Sequence, residues 1–384
     1  MKILDSSRTA SSFAIIGLCF VATLASAAQP TFVKHVIDDQ FGARGADIGD
    51  RDKNGMADII ASAGNHVYWY GKDGKHLIAQ IHAPANCIHL RTADIDGDGD
   101  IDAIVADHRN AIRYYENPGA GPAKSKPWPH RFVDNQCIGA HAVALADING
   151  DGRIDIVASG ESTSTPPNSI YWYECPEKPN SASSWPKHVV GPGQSGGLAH
   201  YPAIGDLNGD GKLDIAHAAK SPEGGEWYRI WTQPADATKP WDFKEIGVNY
   251  TQATNVQIGD IDGDGKNDIL ASQGHHFGVM WFKGPTWEQS YIDKDLQSPH
   301  TLVLADIDRD GDLDGATCAY DSAMLVWFEN DGKGRFKKHV IATDQAAYDL
   351  AARDVDNDGD LDFVVAGQNS KNVVWYEQAG RPGN

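Results

Sequence analysis

The sequence predicts an all-β protein, a single seven-bladed β-propeller, and three observations predict it. An acidic nonapeptide returns seven times, beginning at Asp50, Asp94, Asp147, Asp206, Asp260, Asp306 and Asp354. Around each copy lie short segments rich in Val, Ile and aromatics, cut by Gly, Pro and Asn turns, with nothing of helical length or period. The N-terminal segment also matches the outer strand of the sixth repeat, while the last repeat lacks an outer strand of its own. A unit that recurs at intervals of about fifty residues cannot bury its apolar face alone, so its copies must pack side by side.

The nonapeptide reads Asp, any residue, Asp or Asn, any residue, Asp or Asn, Gly, two residues, Asp; the clearest copies are DIDGDGDID, DLNGDGKLD and DVDNDGDLD. Four oxygen-bearing side chains and a Gly that permits a tight turn make a loop able to wrap a hard cation. The candidate ligands are Asp50, Asp52, Asn54 and Asp58; Asp94, Asp96, Asp98 and Asp102; Asp147, Asn149, Asp151 and Asp155; Asp206, Asn208, Asp210 and Asp214. The last three loops add Asp260, Asp262, Asp264 and Asp268; Asp306, Asp308, Asp310 and Asp314; and Asp354, Asp356, Asp358 and Asp362. The flanks read as strands, which excludes an EF-hand. Structural calcium, up to seven ions, is the expected cofactor, and the first loop, DRDKNGMAD, has the most basic flanks.

The third repeat shows the blade. HAVALAD (141–147) reads as a strand, then follow the acidic loop and three further strands, DIVASG (155–160), SIYWYE (169–174) and KHVV (187–190). Four antiparallel strands taken seven times make a propeller. The last repeat stops after its third strand, NVVWYEQ (372–378), whereas Phe32-Val33-Lys34-His35-Val36-Ile37 matches the fourth strand of the sixth, Phe336 to Ile341. The N-terminal strand is therefore expected to complete blade seven and leave no edge open. The third strand of every blade carries aromatics, a recurrence that suits packing between blades. His35, His188 and His339 fall in matching outer strands and read as structural.

Lys2 and Arg8, the apolar run from Phe13 to Leu24 and Ala25-Ser26-Ala27 follow the order of a secretory signal peptide, so residues 1–27 are expected to be removed and the propeller to span 28–384 in a secreted or periplasmic protein. No later segment reads as transmembrane. The formal charge is −20, carried largely by the loops, and no basic stripe exists to neutralise phosphates, which argues against nucleic acid. Cys87 and Cys137 precede loops of consecutive repeats: an inter-repeat disulfide and free buried thiols are both open, and Cys318 reads as core.

All seven acidic loops join first to second strands and so lie at one end of the ring. Six residues before each loop, at the opposite end, stand Arg44, His141, His200, Thr254, His300 and Tyr348, with His89 displaced by one and Arg91 nearby. The turns facing them add His66, His108, Glu161, Lys220, His275, His276, Tyr320, Asp321 and Gln368. Histidines and arginines gathered at a concave mouth bind anions, hold a metal or exchange protons near neutral pH. The alternative, histidines that only tie blades together, does not explain a polar set where packing favours apolar residues. No nucleophile elbow, HExxH, CxxC or phosphate loop occurs.

The loops at this spacing resemble the calcium-binding FG-GAP/VCBS propeller repeats of integrin alpha subunits and many secreted microbial proteins, over residues 31–378. As a whole the chain looks most like secreted enzymes that act on rhamnose-glucuronate linkages of plant gums, and more distantly like aldos-2-ulose dehydratases. That resemblance implies a polysaccharide lyase. β-Elimination at a uronate needs a cation beside the carboxylate, a base for the C5 proton and an acid for the leaving oxygen. Arg44 and Arg91 suit the first, with His108, Lys220, His275 and His276 as further substrate contacts; His89, His141, His200, His300 and Tyr348 suit the others. A metal held by the histidines in the channel would replace Arg. A calcium-dependent glycan-binding or adhesion module is the second reading, and a glycoside hydrolase using Glu161 and Asp321 the third. The expected partner is an acidic polysaccharide or oligosaccharide, met by a monomer that fills the chain after its export segment without a tether.

Overall fold

The protein is described by a computed structural model that covers residues 29–379 apart from 83, 120–125, 194–198 and 222–224; the expected signal peptide lies outside the described residues. Seven four-stranded antiparallel sheets form a ring. The inner strands are β2 (Gly45–Gly49), β6 (Cys87–Ala93), β10 (Val143–Ala146), β14 (Ala199–Gly205), β18 (Asn255–Gly259), β22 (Pro299–Ala305) and β26 (Asp349–Arg353). Each begins its blade and neighbours the next inner strand around the channel.

The third repeat folds as its sequence suggests, into β10, β11 (Asp155–Gly160), β12 (Ser169–Tyr173) and β13 (Lys187–Gly191). Closure is likewise as expected. β1 (Thr31–Asp38) pairs with β28 (Asn372–Ala379) from Thr31↔Ala379 to Asp38↔Val373 and so becomes the outer strand of blade seven. Asp38 at its end accepts from Tyr70 Oη at 2.9 Å and Lys75 Nζ at 2.7 Å, which latches the strand to blade one.

The third-strand aromatics pack between blades. Trp69, Trp172 and Trp227 are buried, and the outer-strand histidines lie flat on the Trp ring beside them. His35 stacks on Trp375 at 4.6 Å, His188 on Trp172 at 4.3 Å and His339 on Trp327 at 4.6 Å, and each also pairs with a Glu (Glu377, Glu174, Glu329). His76 does the same on Trp69 at 4.1 Å. Cys87, Cys137, Cys175 and Cys318 are unpaired buried thiols, so of the two openings for Cys87 and Cys137 the structure takes the free one. The loop over residues 176–187 reaches back to the preceding blade: Asn180 Nδ2 donates to Asp96 in the second acidic loop at 2.6 Å.

Candidate functional site at the channel mouth

Three of the inner strands open with an irregular register. β6 slips between Cys87 and His89, β14 between Ala199 and Pro202, and β22 between Pro299 and Thr301. A bulge re-aims side chains at a barrel rim. Here it allows two successive residues of one strand to contribute to the channel, and His89, His200 and Tyr201, and His300 all sit at these slips. The result is a polar plug: His89, His200 and His300 are at most 1% exposed and His141 is 8% exposed.

The rings pack in a tight chain. His141 stacks on His200 at 3.7 Å between centroids, and its Nε2 lies 3.1 Å from the Tyr348 hydroxyl. The Tyr348 ring in turn lies 3.7 Å from that of His300. His300 Nδ1 donates to the Tyr348 carbonyl at 2.8 Å, which fixes the tautomer and leaves Nε2 a bare, buried acceptor with no hydrogen-bond partner. His275 meets His300 edge-on at 4.9 Å, and Lys220 Nζ donates to its Nε2 at 3.2 Å. Arg44 lies over the Tyr348 ring at 5.6 Å and donates to Asn86 at 3.2 Å, while His108 pairs with Glu161 at 3.3 Å.

Burial first, and then the neighbouring cations and imidazoles, disfavour the charged forms of His141, His275 and His300. His141 and His300 are held well below the usual imidazole range, and His275 comes down to about 4 through burial and Lys220. Lys220 is lowered by burial, and the Tyr348 phenol is pushed up by it. The mouth thus holds the neutral imidazoles of His141, His275 and His300, the protonated phenol of Tyr348 and the guanidinium of Arg44.

The plug separates two cavities. The one at the mouth, about 380 Å³, is lined by Arg44, Asn86, Ile88, His108, His141, Glu161, His200 and Lys220. The other, about 430 Å³, lies toward the acidic loops and is walled mainly by inner-strand Ala, Val, Leu and Ile. The mouth is the better candidate because its titratable groups converge. His89 and Arg91 line the other side. They face Asp349 at 3.9 and 3.6 Å, a buried carboxyl that burial raises to about 6. His276 is exposed on its turn and stands apart from the ring cluster. Glu161 stays in the mouth lining, paired with His108, whereas Asp321 accepts from Ser298 Oγ at 2.5 Å. Sequence reasoning missed Asn86, Tyr201 and Asp349; the last two stand five residues before their loops, one step beyond the position counted.

Two donor sets fit a metal. His200, His275 and His300 each offer a ring nitrogen, and the three nitrogens lie within 4.8 Å of one another. A three-histidine set suits a borderline transition metal. In the acidic loops, carboxylate oxygens converge within the same distance at Asp50, Asp52 and Asp58, at Asp94, Asp96 and Asp102, at Asp260, Asp262 and Asp268, and at Asp306, Asp308 and Asp314. Burial and the neighbouring carboxylates raise Asp58 to about 6; burial, with the carboxylates adding to it, raises Asp102 to about 7 and Asp314 to about 8. A cation beside such a cluster offsets its mutual repulsion, so the loops suit a hard divalent ion.

Comparison with known proteins agrees with this architecture. No curated protein resembles the chain closely enough to count as a match. Among solved structures, one of an Agrocybe aegerita lectin that recognises non-reducing terminal N-acetylglucosamine superposes with a TM-score of 0.55 at 17% identity, covering 83% of this chain and 92% of that one. Crystals of BBS1N in complex with ARL6DN, soaked with lead or with mercury, give TM-scores of 0.62 and 0.60 at 10% and 9% identity. They cover 92% and 93% of this chain and 98% and 99% of those. At such identities the likeness is one of fold. No helix among the described residues is long and apolar enough to cross a membrane. The FG-GAP-like repeat model matches residues 50–105, 94–158, 147–217, 260–317 and 306–365, more than half of the chain. On its repeats the chain belongs to the FG-GAP-like repeat family.

Proposed function

We propose that the protein is an exported, calcium-stabilised polysaccharide lyase that cleaves a uronate-containing glycan by β-elimination at the channel mouth. The observation that carries the reading is the hydrogen bond between His141 Nε2 and the Tyr348 hydroxyl, set in a cavity beside Arg44 and Lys220. In a uronate the C5–H bond and the C4–O bond are neighbours, so a base and an acid 3.1 Å apart can serve both from one face. The neutral His141 takes the C5 proton, the C4–C5 double bond forms as the C4–O bond breaks, and the Tyr348 phenol protonates the leaving oxygen. The imidazolium then returns its proton to the tyrosinate across the same hydrogen bond, which restores both groups. Arg44 and Lys220 offset the charge that builds on the carboxylate.

His200, His275 and His300 would hold a metal at the floor of this site, where it would supply further charge for the same carboxylate. Calcium is the ion the acidic loops suit, through the side chains at offsets 0, 2, 4 and 8. A lectin among the fold neighbours keeps non-catalytic glycan binding as the rival reading. The two part on mutation. His141→Ala and Tyr348→Phe should each lower the rate about 10²–10⁴-fold while the ring stays folded. Full activity in both variants, or binding of glycan without an unsaturated product, returns the mouth to a binding role.

A further inference from the structure

In six of the seven acidic loops the second residue is apolar and buried: Ile95, Ile148, Leu207, Ile261, Ile307 and Val355. In the first loop that place is taken by Arg51, whose side chain is fully buried. Its guanidinium lies 3.6 Å from the Trp69 ring centroid and makes no hydrogen bond through Nε, Nη1 or Nη2. What it does face are loop carboxylates, Asp52 Oδ2 at 3.8 Å from Nη2 and Asp58 Oδ2 at 3.9 Å from Nε.

The backbone gives no reason for the exchange. The Arg51 amide donates to Asp58 Oδ2 at 3.0 Å, as Ile148 does to Asp155, and Asp50 accepts from the amides of Asn54 and Gly55 as Asp147 does from Asp151 and Gly152. The turn that would hold the ion is built like the others, and what sets it apart is the charge of its buried second residue. Arginine stays protonated wherever it is placed, and a buried guanidinium without hydrogen bonds persists only beside an opposite charge. Asp52 and Asp58 supply that charge, and both belong to the set that in the other loops would face a divalent ion. An ion bound there would take the carboxylates that Arg51 depends on and set two positive charges beside its own.

We propose that Arg51 is the resident cation of the first loop, which stays without a divalent ion while the other six loops fill. The proposal is independent of the lyase reading. The test is to strip the whole chain with a chelator, reload it with calcium alone, remove excess ion and count bound calcium per chain by mass spectrometry. Six ions are expected for the native chain and seven for Arg51→Ile, which restores the residue type of the other loops. Should that variant fail to fold, Asp50→Asn decides alone: the count stays at six, whereas Asp94→Asn in the second loop lowers it by one. Seven ions in the native chain, or a loss of one with Asp50→Asn, overturns the assignment. A native chain that retains no calcium overturns it too, together with the calcium reading of all seven loops, and leaves the lyase reading untouched.

Discussion

In six of the seven acidic loops the last aspartate does a second job that calcium does not explain. Asp155 is fully buried; its Oδ2 accepts from the Ile148 amide at 3.0 Å and its Oδ1 from the Cys175 amide at 2.8 Å, tying the start of the loop to the end of the third strand. The same pair of bonds recurs at Asp102, Asp214, Asp268, Asp314 and Asp362. Asp155→Ala leaves two buried amides without a partner, at about 1–3 kcal/mol each, or about 2–6 kcal/mol in all, even with no metal present. Asp147→Ala differs. Asp147 accepts from the amides of Asp151 and Gly152, which are exposed and return to water, so its loss should matter only through the ion. Denaturant unfolding of both variants, in calcium and in chelator, separates the two roles. Asp155→Ala should be destabilised in both conditions and Asp147→Ala in calcium alone. Equal behaviour of the two variants, with both effects vanishing in chelator, would refute the tie.

Deleting residues 29–38 should destabilise the whole ring by several kcal/mol, at about 1 kcal/mol for each lost backbone hydrogen bond, because β28 loses its partner and blade one its latch. Unchanged unfolding of the truncated chain would contradict closure by that strand. The core residue His217 is buried and held at about 4, below its unfolded value of about 6.5. As pH falls below about 6.5 the unfolded chain takes up the proton first, so stability present at neutral pH is lost down to about 4, with about 2 kcal/mol gone by pH 5 at 1.36 kcal/mol per unit. His217→Leu should flatten the pH dependence of unfolding by that amount, and an unaltered slope would count against it. Arg44→Ala should weaken binding of uronate oligosaccharides more than of neutral ones; equal loss for both would remove Arg44 from the carboxylate.

The blade count, the strand order and the closure by β1 were legible because they follow from periodic signals: a nine-residue loop, alternating strands and a repeated outer-strand motif. The first ring of mouth residues was legible by the same counting, since Arg44, His141, His200, His300 and Tyr348 share one offset from their loops. Counting fails where the chain slips by a residue. The register shifts in β6, β14 and β22 bring Tyr201 into the plug, and they turn His89 toward Asp349 on the side away from the mouth. His276 shares a turn with His275, and its opposite direction is a matter of backbone path, not residue type. The double bond of the last loop aspartate was hidden for another reason: its partners, such as Ile148 and Cys175, are backbone amides, which every sequence contains.

Elimination at the mouth leaves its mark in the product, a C4–C5 double bond at the new non-reducing end. The native protein, loaded with calcium, is incubated with a panel of uronate-containing polysaccharides, rhamnose-glucuronate gums among them, while the ultraviolet absorbance of unsaturated uronate is followed. A rise is expected with at least one acidic glycan, absent with neutral glycans and abolished in Tyr348→Phe. Chain cleavage that yields only saturated ends, or tight binding with no product across the panel, would contradict elimination at the mouth.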